Sequence, residues 1–242
     1  MYLLIIGANS DIGKAIAHIF AKNGFNLYLA ARDCNRLNNF SKHIQDKYKT
    51  TCKFIEFDVS DYNAHKDFYQ NLTHKPIGTI CVTGYYCSNE GLNLDVSLVK
   101  NIFEANLLGC VSILNVAAFD LANRKEGFII GISSVAGDRG RASNYLYGSA
   151  KSGFNTYLDG LRNKLFSFDV KVITVKPGYV RTKMTYGMNL PEYLLAEPEE
   201  IANDIYNGWK NGKEIIYTKW YWKYIMFIIR NVPNFIFKRM SL

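Results

Sequence analysis

Histidine and cysteine, which supply many transition-metal ligands in proteins, are few and scattered in this chain. The histidines are His18, His43, His65 and His74, and the cysteines are Cys34, Cys52, Cys81, Cys87 and Cys110. No group of them has the spacing of a zinc site, no Cys-x-x-Cys pair occurs, and the number of cysteines is odd. We therefore predict no metal site, and we interpret the cysteines as mostly buried free thiols in a reducing compartment.

Long apolar runs are also missing. No stretch offers the roughly 18 uncharged apolar residues that a membrane-spanning helix needs. The apolar start, residues 1–6 ("MYLLII"), is too short for the core of a signal peptide and leads directly into glycine, so we interpret it as a strand. Linkers, repeats and low-complexity segments are absent as well, and the sequence predicts one cytoplasmic domain.

The formal net charge of +8 favours an anionic partner: nucleic acid, an anionic membrane surface or a phosphorylated ligand. Neither zinc-finger spacing nor an aromatic RNA-binding signature occurs, so we predict no nucleic-acid partner.

Short apolar runs alternate with longer amphipathic runs along most of the chain. The predicted strands cover residues 2–6, 26–31, 52–59, 78–84, 126–134, 170–178 and 214–218. The predicted helices cover residues 11–24, 34–48, 61–73, 95–124 (one long helix or two joined), 143–168 and 198–210. Continuous apolar strands of this kind are typical of a parallel sheet with both faces covered. The predicted fold is a single-domain α/β, Rossmann-type, doubly wound parallel sheet in a three-layer α/β/α sandwich.

A glycine turn, residues 7–13 ("GANSDIG"), connects the first predicted strand to the first predicted helix. Glycine lets the backbone approach a pyrophosphate, and the helix N-terminus adds N–H donors and the positive end of a dipole. The spacing differs from the usual G-x-G-x-x-G, because Asp11 stands where a third glycine often lies. The candidate cofactor contacts in this turn are Gly7, Asn9, Ser10, Asp11, Ile12 and Gly13.

The end of the second predicted strand, "LAARD", bears on the choice between NAD and NADP. NAD-binding folds usually place an acid at this strand end to hold the ribose 2′-hydroxyl. Here Ala31 occupies that place, Arg32 follows it, and Arg36 comes one turn later. An arginine can bind a 2′-phosphate through charge-assisted hydrogen bonds, so we predict NADP(H). The alternative is a surface arginine that only solvates the strand end.

Residues 147–151 ("YGSAK") place a tyrosine four positions before a lysine in a predicted helix, so both side chains lie on one face. A phenol has a reference pKa of about 10, and a nearby ammonium favours the phenolate and lowers that pKa. Tyr147 and Lys151 therefore suit proton transfer. The same pair also occurs by chance on exposed helical faces, so other motifs must decide.

Further motifs follow the family order of a known enzyme class: "DV" at 58–59, "EANLLG" at 104–109, "ISSVAG" at 132–137 and "KPG" at 176–178. With the glycine turn and "YGSAK", the chain resembles the classical short-chain dehydrogenases/reductases over about residues 2–218. The resemblance implies an NAD(P)-dependent oxidoreductase, a small carbonyl or alcohol substrate, and a homodimer or homotetramer.

The resemblance also implies catalytic roles. Tyr147 matches the family's acid/base, and Lys151 matches the lysine that lowers the tyrosine pKa and binds the nicotinamide ribose. Ser134, thirteen residues before Tyr147, matches the serine that holds the substrate oxygen, and Ser133 is the alternative. Asn106 matches the helix asparagine that supports a proton-relay water.

Further cofactor contacts are implied beyond the glycine turn. They are Asp58 and Val59 beside the adenine, Gly84 after the fourth strand, Pro177, Gly178 and Val180 facing the nicotinamide, and Thr182 at the carboxamide or a phosphate. Two features depart from the family pattern. Residues 81–84 ("CVTG") replace Asn-Asn-Ala-Gly, which leaves the subfamily open, and Asp11 adds negative charge near the pyrophosphate. Its side chain must point away or cap the helix locally.

The last 24 residues, 219–242, mix aromatic and basic side chains, as in "KWYWKY" at 219–224. They are too short and too charged to span a bilayer, and suit contact with anionic lipid or packing on a second subunit. We assign residues 1–218 to the catalytic domain and 219–242 to an extension of that domain. Residues 183–197 are rich in Met, Tyr and Leu, which suits an apolar substrate or ordinary core packing.

Three functions are compatible with these features. The first is an NADPH-dependent carbonyl reductase of an apolar or lipid-linked substrate. The glycine turn and the R-x-x-P spacing of Arg230 and Pro233 resemble reductases of polyprenyl-phosphate keto-sugars, which would place the protein peripherally at the inner face of the membrane. The second is a 3-oxoacyl thioester reductase, or a steroid- or retinol-like alcohol dehydrogenase. The third is a non-catalytic NADP-binding sensor, which would not need the Tyr147–Lys151 pair.

Overall fold

Seven parallel strands form one sheet at the centre of the protein. The computed structural model describes residues 1–33, 35–87 and 95–240, without the side chains of residues 35 and 36. The strands are β1 (Tyr2–Ile6), β2 (Asn26–Ala31), β3 (Cys52–Glu56), β4 (Gly78–Cys81), β5 (Phe128–Ile132), β6 (Lys171–Pro177) and β7 (Ile215–Thr218). Their order is β3-β2-β1-β4-β5-β6-β7, and each neighbouring pair is parallel. The predicted doubly wound α/β fold is confirmed.

Helices cover both faces of the sheet. They are α1 (Asp11–Lys22), α2 (Asn35–Tyr48), α3 (His65–Gln70), α4 (Val96–Phe103), α5 (Gly109–Arg124), α6 (Tyr145–Leu165), α7 (Pro198–Lys210), α8 (Tyr221–Asn231) and α9 (Asn234–Phe237). Along β1, Leu3 and Ile5 pack beneath α1 and α7, whereas Leu4 and Ile6 pack beneath α3 and α5. Because side chains alternate along a strand, a continuous apolar strand fills both core layers at once.

Three predicted strands end earlier than their sequence suggests. The strands predicted to reach residues 59, 84 and 134 end at Glu56, Cys81 and Ile132. The residues beyond those ends leave the sheet and line a cleft above it. The helix predicted at 61–73 is a 3₁₀ turn, Tyr62–Ala64, followed by the short α3.

The helix predicted at 95–124 is two helices, because α4 and α5 are joined by a π-helical turn at Glu104–Leu108. Of the described residues, only the segment Val96–Arg124 is long and apolar enough to cross a membrane by length and composition, with a mean hydropathy of 1.7. No such segment was predicted from the sequence. In the fold, α5 packs Ile113 and Leu114 into the core beside the sheet, as core helices of globular domains do.

The C-terminal extension packs against its own chain. In α8, Trp222 and Met226 are four residues apart and buried, and they form one cluster with Val135. The opposite side chains are exposed: Trp220, Tyr224, Phe227, Ile228, Phe235 and Ile236. Pro233 lies between α8 and α9, as its sequence position predicts. One stripe of the extension is therefore core, and the other is an exposed apolar surface with basic residues nearby.

The interpretation of the cysteines as free thiols is confirmed for the described ones: Cys52, Cys81 and Cys110 are buried, and Cys87 is partly buried. Cys34 lies outside the described residues. Over the same part of the chain, no three His, Cys, Asp or Glu side chains are grouped as metal ligands.

Candidate active site

A cleft of about 700 Å³ opens above the carboxyl ends of the central strands. Its walls are the loops that follow β1, β2, β3, β4, β5 and β6, which is where ligands bind in doubly wound sheets. The cleft brings together all the predicted site residues except Gly13 and Asn106. Those two lie behind its wall.

The glycine turn is shaped by close backbone contacts. Gly7 has a φ of +87°, and a Cβ there would lie 2.9 Å from the backbone nitrogen of Thr83. The hydroxyl of Ser10 accepts a hydrogen bond from Gly13 N (3.0 Å) and donates one to Gly7 O (2.8 Å). A Cβ on Gly13 would lie 2.8 Å from Gly7 O. Gly13 therefore lets the first turn of α1 pack closely against the backbone of Gly7, and it supports the wall of the cleft without lining it.

Asp11 does not cap the helix locally, which was one of the two positions expected from the sequence. Ser10, not Asp11, is the N-cap of α1. The Asp11 carboxylate instead accepts a hydrogen bond from the backbone N–H of Lys183 at 2.9 Å. This contact ties the glycine turn to the start of the loop that follows Thr182.

The wall above β2 and β3 carries polar groups suited to the adenosine end of a dinucleotide. The side-chain oxygen of Asn9 is buried without a hydrogen-bond partner, while its nitrogen donates to Asp33 O at 2.8 Å. Arg32 is exposed at the end of β2. Burial would raise the pKa of Asp58, but two hydrogen bonds from Ser60 and the charge of Arg32 outweigh burial and lower it. The Arg36 side chain lies outside the described part of the structure.

Tyr147 and Lys151 lie one turn apart at the start of α6 and both face the cleft. Lys151 is 2% exposed, and its Nζ donates to the carbonyl of Ile132 at 3.0 Å. That Nζ lies 5.8 Å from the centre of the Tyr147 ring. Tyr86 packs edge-on against the same ring, with the two centres 5.5 Å apart. The tyrosine is thus held between an aromatic ring and a buried ammonium.

Ser134 and Ser133 occupy different environments at the end of β5. The Ser133 hydroxyl is buried and donates to the carbonyl of Lys151 at 3.2 Å. The Ser134 hydroxyl accepts from Ala136 N at 3.1 Å, so its own proton is available to a ligand in the cleft. This difference favours Ser134 over Ser133 as the residue that binds a substrate oxygen.

Asn106 is buried in the π-helical turn and does not line the cleft. Its side-chain nitrogen donates to the carbonyls of Tyr85 (2.7 Å) and Ile102 (2.8 Å), and its oxygen accepts from Tyr85 N at 3.3 Å. Asn106 therefore fixes the loop that follows β4. Its predicted role at a relay water stays a prediction.

Comparison with known proteins decides the family. A sequence model described as short chain dehydrogenase matches residues 2–192. The chain belongs to this family. An uncharacterized oxidoreductase of Mycobacterium tuberculosis is 30% identical over 241 residues, which cover 98% of this chain and 96% of the relative. The family assignment makes this chain an oxidoreductase.

Solved structures agree with the fold. A short-chain dehydrogenase of Sphingobium yanoikuyae in complex with NADPH superposes with a TM-score of 0.85 at 20% identity, over 96% of each chain. A bulky-bulky ketone specific alcohol dehydrogenase of Comamonas testosteroni superposes with a TM-score of 0.82 at 21% identity, over 96% of this chain and 95% of the other.

The loop that follows β5 is joined to β6 and β7 by buried polar groups. Lys176 forms an ion pair with Asp138 at 2.6 Å, and both side chains are nearly inaccessible to solvent. Asp138 also accepts a hydrogen bond from the Tyr217 hydroxyl at 2.7 Å, and burial raises the pKa of that phenol. The loop with Ser134 is therefore held against the end of β6 that leads to Pro177.

The turn after β6 depends on α8. A Cβ on Gly178 would overlap the indole ring of Trp222, so this position requires glycine while Trp222 is present. Further along, Val180 pairs with Ala196 in an isolated parallel bridge. The N–H of Thr182 donates to the Thr185 hydroxyl at 3.1 Å.

Sequence reasoning missed several charged residues of the cleft, among them Arg141. It lies between the "ISSVAG" and "YGSAK" motifs and lines the cleft, as do Asn144 and Tyr179. No motif covers residues 138–146, and a surface arginine is the ordinary interpretation of "DRGRAS". The only available signal was its position between two motifs that face the same cleft.

Proposed function

We propose that this chain is an NADPH-dependent carbonyl reductase, which transfers a hydride to a ketone and yields a secondary alcohol. The observation that carries the proposal is the placement of Ser134, Tyr147 and Lys151 in the same cleft as the glycine turn. A sensor that only binds a dinucleotide has no need of a phenol beside a buried ammonium.

The residues of the cleft suit this chemistry. A reduced nicotinamide cofactor supplies the hydride when it is bound. As the substrate oxygen gains negative charge, the Ser134 hydroxyl donates a hydrogen bond to it and the Tyr147 hydroxyl donates the proton. The Lys151 ammonium then stabilises the phenolate that remains on Tyr147.

The cofactor part of the proposal is NADP(H) along the wall from Arg32 to Thr182. Support comes from the tight glycine turn, the unpartnered side-chain oxygen of Asn9, and the exposed Arg32 directly after Ala31, which stands where an acid would select NAD. The structural relative from Sphingobium yanoikuyae was solved with NADPH.

We propose an apolar or lipid-linked substrate, such as a polyprenyl-phosphate keto-sugar. Met184 and Met188 line the cleft. Helix α8 packs on Val135 of the cleft wall, and α8 and α9 also carry exposed apolar side chains. Peripheral contact of residues 219–242 with an anionic membrane belongs to this proposal. The same apolar lining would accept a 3-oxoacyl thioester or a steroid-like ketone.

The test follows NADPH oxidation at the nicotinamide absorbance against carbonyl substrates, with and without anionic liposomes. The panel runs from 3-oxoacyl thioesters and steroid ketones to prenyl-phosphate keto-sugars. We expect turnover that Tyr147→Phe reduces about 100-fold or more, because the variant keeps the ring and removes the proton donor. Tight NADPH binding without turnover on any carbonyl would contradict the reductase and favour the sensor. Turnover that liposomes do not change would contradict the membrane contact.

A further inference from the structure

Arg141 places a buried positive charge in the cleft wall. The residue lies in the loop between β5 and α6 and is 8% exposed. Its terminal nitrogen reaches Val135 O at 3.5 Å and the Met226 sulfur at 3.8 Å, which are both long contacts. Its Nε is buried without a hydrogen-bond partner. Among the described residues, no carboxylate forms an ion pair with it.

A buried guanidinium without a strong acceptor is costly, because burial removes water and the protein supplies little in return. The acidic side chains in and around the cleft have other partners, and Glu104 lies 3.7 Å from the Lys100 ammonium. Asp11 accepts from Lys183 N, and Asp58 accepts from Ser60. Asp138, three residues before Arg141, is paired with Lys176. The Arg141 guanidinium is thus available to a hydrogen-bond acceptor on a ligand that enters the cleft.

The position of Arg141 indicates which ligand supplies this acceptor. The proposed adenosine contacts, Arg32 and Asp58, follow β2 and β3 on one side of the sheet. Arg141 follows β5 on the other side of β1, in the loop that contains Ser134 and leads to α6, the helix of Tyr147. It is therefore on the side of the reacting carbonyl and away from the 2′-phosphate.

We propose that Arg141 binds an anionic group of the substrate, a phosphate or a carboxylate, close to the carbonyl that is reduced. This inference rests on the proposed carbonyl reductase function. A planar guanidinium binds either anion through paired charge-assisted hydrogen bonds. The unpartnered side-chain oxygen of Asn144, buried in the same wall, would accept from a hydroxyl of the same substrate.

The test compares matched carbonyl substrates in the full chain. One pair is dihydroxyacetone phosphate and dihydroxyacetone, and the other is benzoylformate and its methyl ester. We expect the anionic member of at least one pair to have the higher kcat/KM, and the pair that shows this preference identifies phosphate or carboxylate. In Arg141→Met the preference should fall about 10–100-fold, mainly through KM, as expected for a lost charge-assisted hydrogen bond. Arg141→Lys should recover part of it.

Two controls separate this inference from its alternatives. Lys53→Met removes an exposed charge far from the cleft and should keep the wild-type preference. Calorimetry of the NADPH-loaded protein with glycerol 3-phosphate and with mandelate tests anion binding without turnover. Binding that Arg141→Met abolishes would support the inference even if no carbonyl were reduced, in which case only the reductase proposal fails. An unchanged preference in Arg141→Met, or no anion binding to the wild type, would overturn the inference.

Discussion

At the residue scale, Arg32 is the side chain on which the proposed preference for NADP(H) rests. It is exposed at the end of β2, and its charge contributes to the lowered pKa of Asp58. We expect Arg32→Ala to raise the KM for NADPH about 10–100-fold, because a charge-assisted hydrogen bond contributes about 1.5–3 kcal/mol. The KM for NADH, which has no 2′-phosphate, should change much less. Initial rates with each cofactor, with Arg32→Lys as the variant that keeps the charge, measure this. Equal changes in the KM for NADPH and for NADH would show that Arg32 does not bind the 2′-phosphate.

Local spacing explains which residues the sequence could predict. Tyr147 and Lys151 are one helical turn apart, and Ser10 and Gly13 lie in one turn of backbone, so their relation follows from short stretches alone. Asp11 and Lys183 are 172 positions apart, and no periodicity connects them. The burial of Arg141 likewise depends on Met226 of α8, far along the chain.

At the element scale, α8 supports the loops that carry the site. The Trp222 ring occupies the space next to Gly178, and Trp222 and Met226 pack on Val135, the neighbour of Ser134. The Arg139 guanidinium donates to the carbonyls of Ile229 (2.5 Å) and Val232 (2.6 Å) at the end of α8. It also stacks 3.7 Å above the Phe237 ring of α9. The extension is therefore fastened to the loop between β5 and α6.

We expect Trp222→Ala to destabilise the protein by about 3–5 kcal/mol and to lower kcat/KM, because it leaves a cavity under both loops. Trp220→Ala is the matched control, since Trp220 is 75% exposed and its loss should change stability by about 0.5 kcal/mol or less. Urea unfolding and steady-state kinetics of the two variants measure this. Equal stability of the two variants would mean that α8 does not support the site.

The composition of the extension predicted that it exposes aromatic side chains, but it did not predict which side chains are buried. Aromatic and basic residues indicated an interface, and α8 does expose Tyr224, Phe227 and Ile228. The buried pair Trp222 and Met226 has the i, i+4 spacing of a helical stripe, but so do several other apolar pairs in the segment. Periodicity could not decide which pair faces the chain itself.

At the scale of the whole molecule, alternating apolar strands and amphipathic helices were sufficient to predict the sheet and its two helical layers. Strand ends were predicted less well, because the apolar and small residues that follow β3, β4 and β5 line the cleft instead of the sheet. Apolar and small residues occur both in strands covered by helices and in the walls of ligand clefts. The sequence pattern alone therefore does not show where the strand ends and the cleft wall begins.

Global stability should depend on pH through His65, which joins α3 to α5. His65 is 1% exposed, its Nδ1 lies 2.8 Å from the Ser112 hydroxyl, and its Nε2 has no partner. Burial lowers the pKa of His65. As pH falls below about 6.5, the unfolded chain protonates this histidine while the folded protein resists protonation, so the free energy of unfolding decreases.

We expect His65→Gln to flatten this decrease between about pH 7.5 and 5.5, because glutamine does not titrate and can still bond to Ser112. Part of the slope should remain, since burial also lowers the pKa of His18. His74→Gln is the control, because it makes the same substitution at an exposed histidine. Urea unfolding across this pH range measures the slope for each protein. If His65→Gln and His74→Gln gave the wild-type slope alike, the acid sensitivity of the fold would have to arise from groups other than the buried imidazole between α3 and α5.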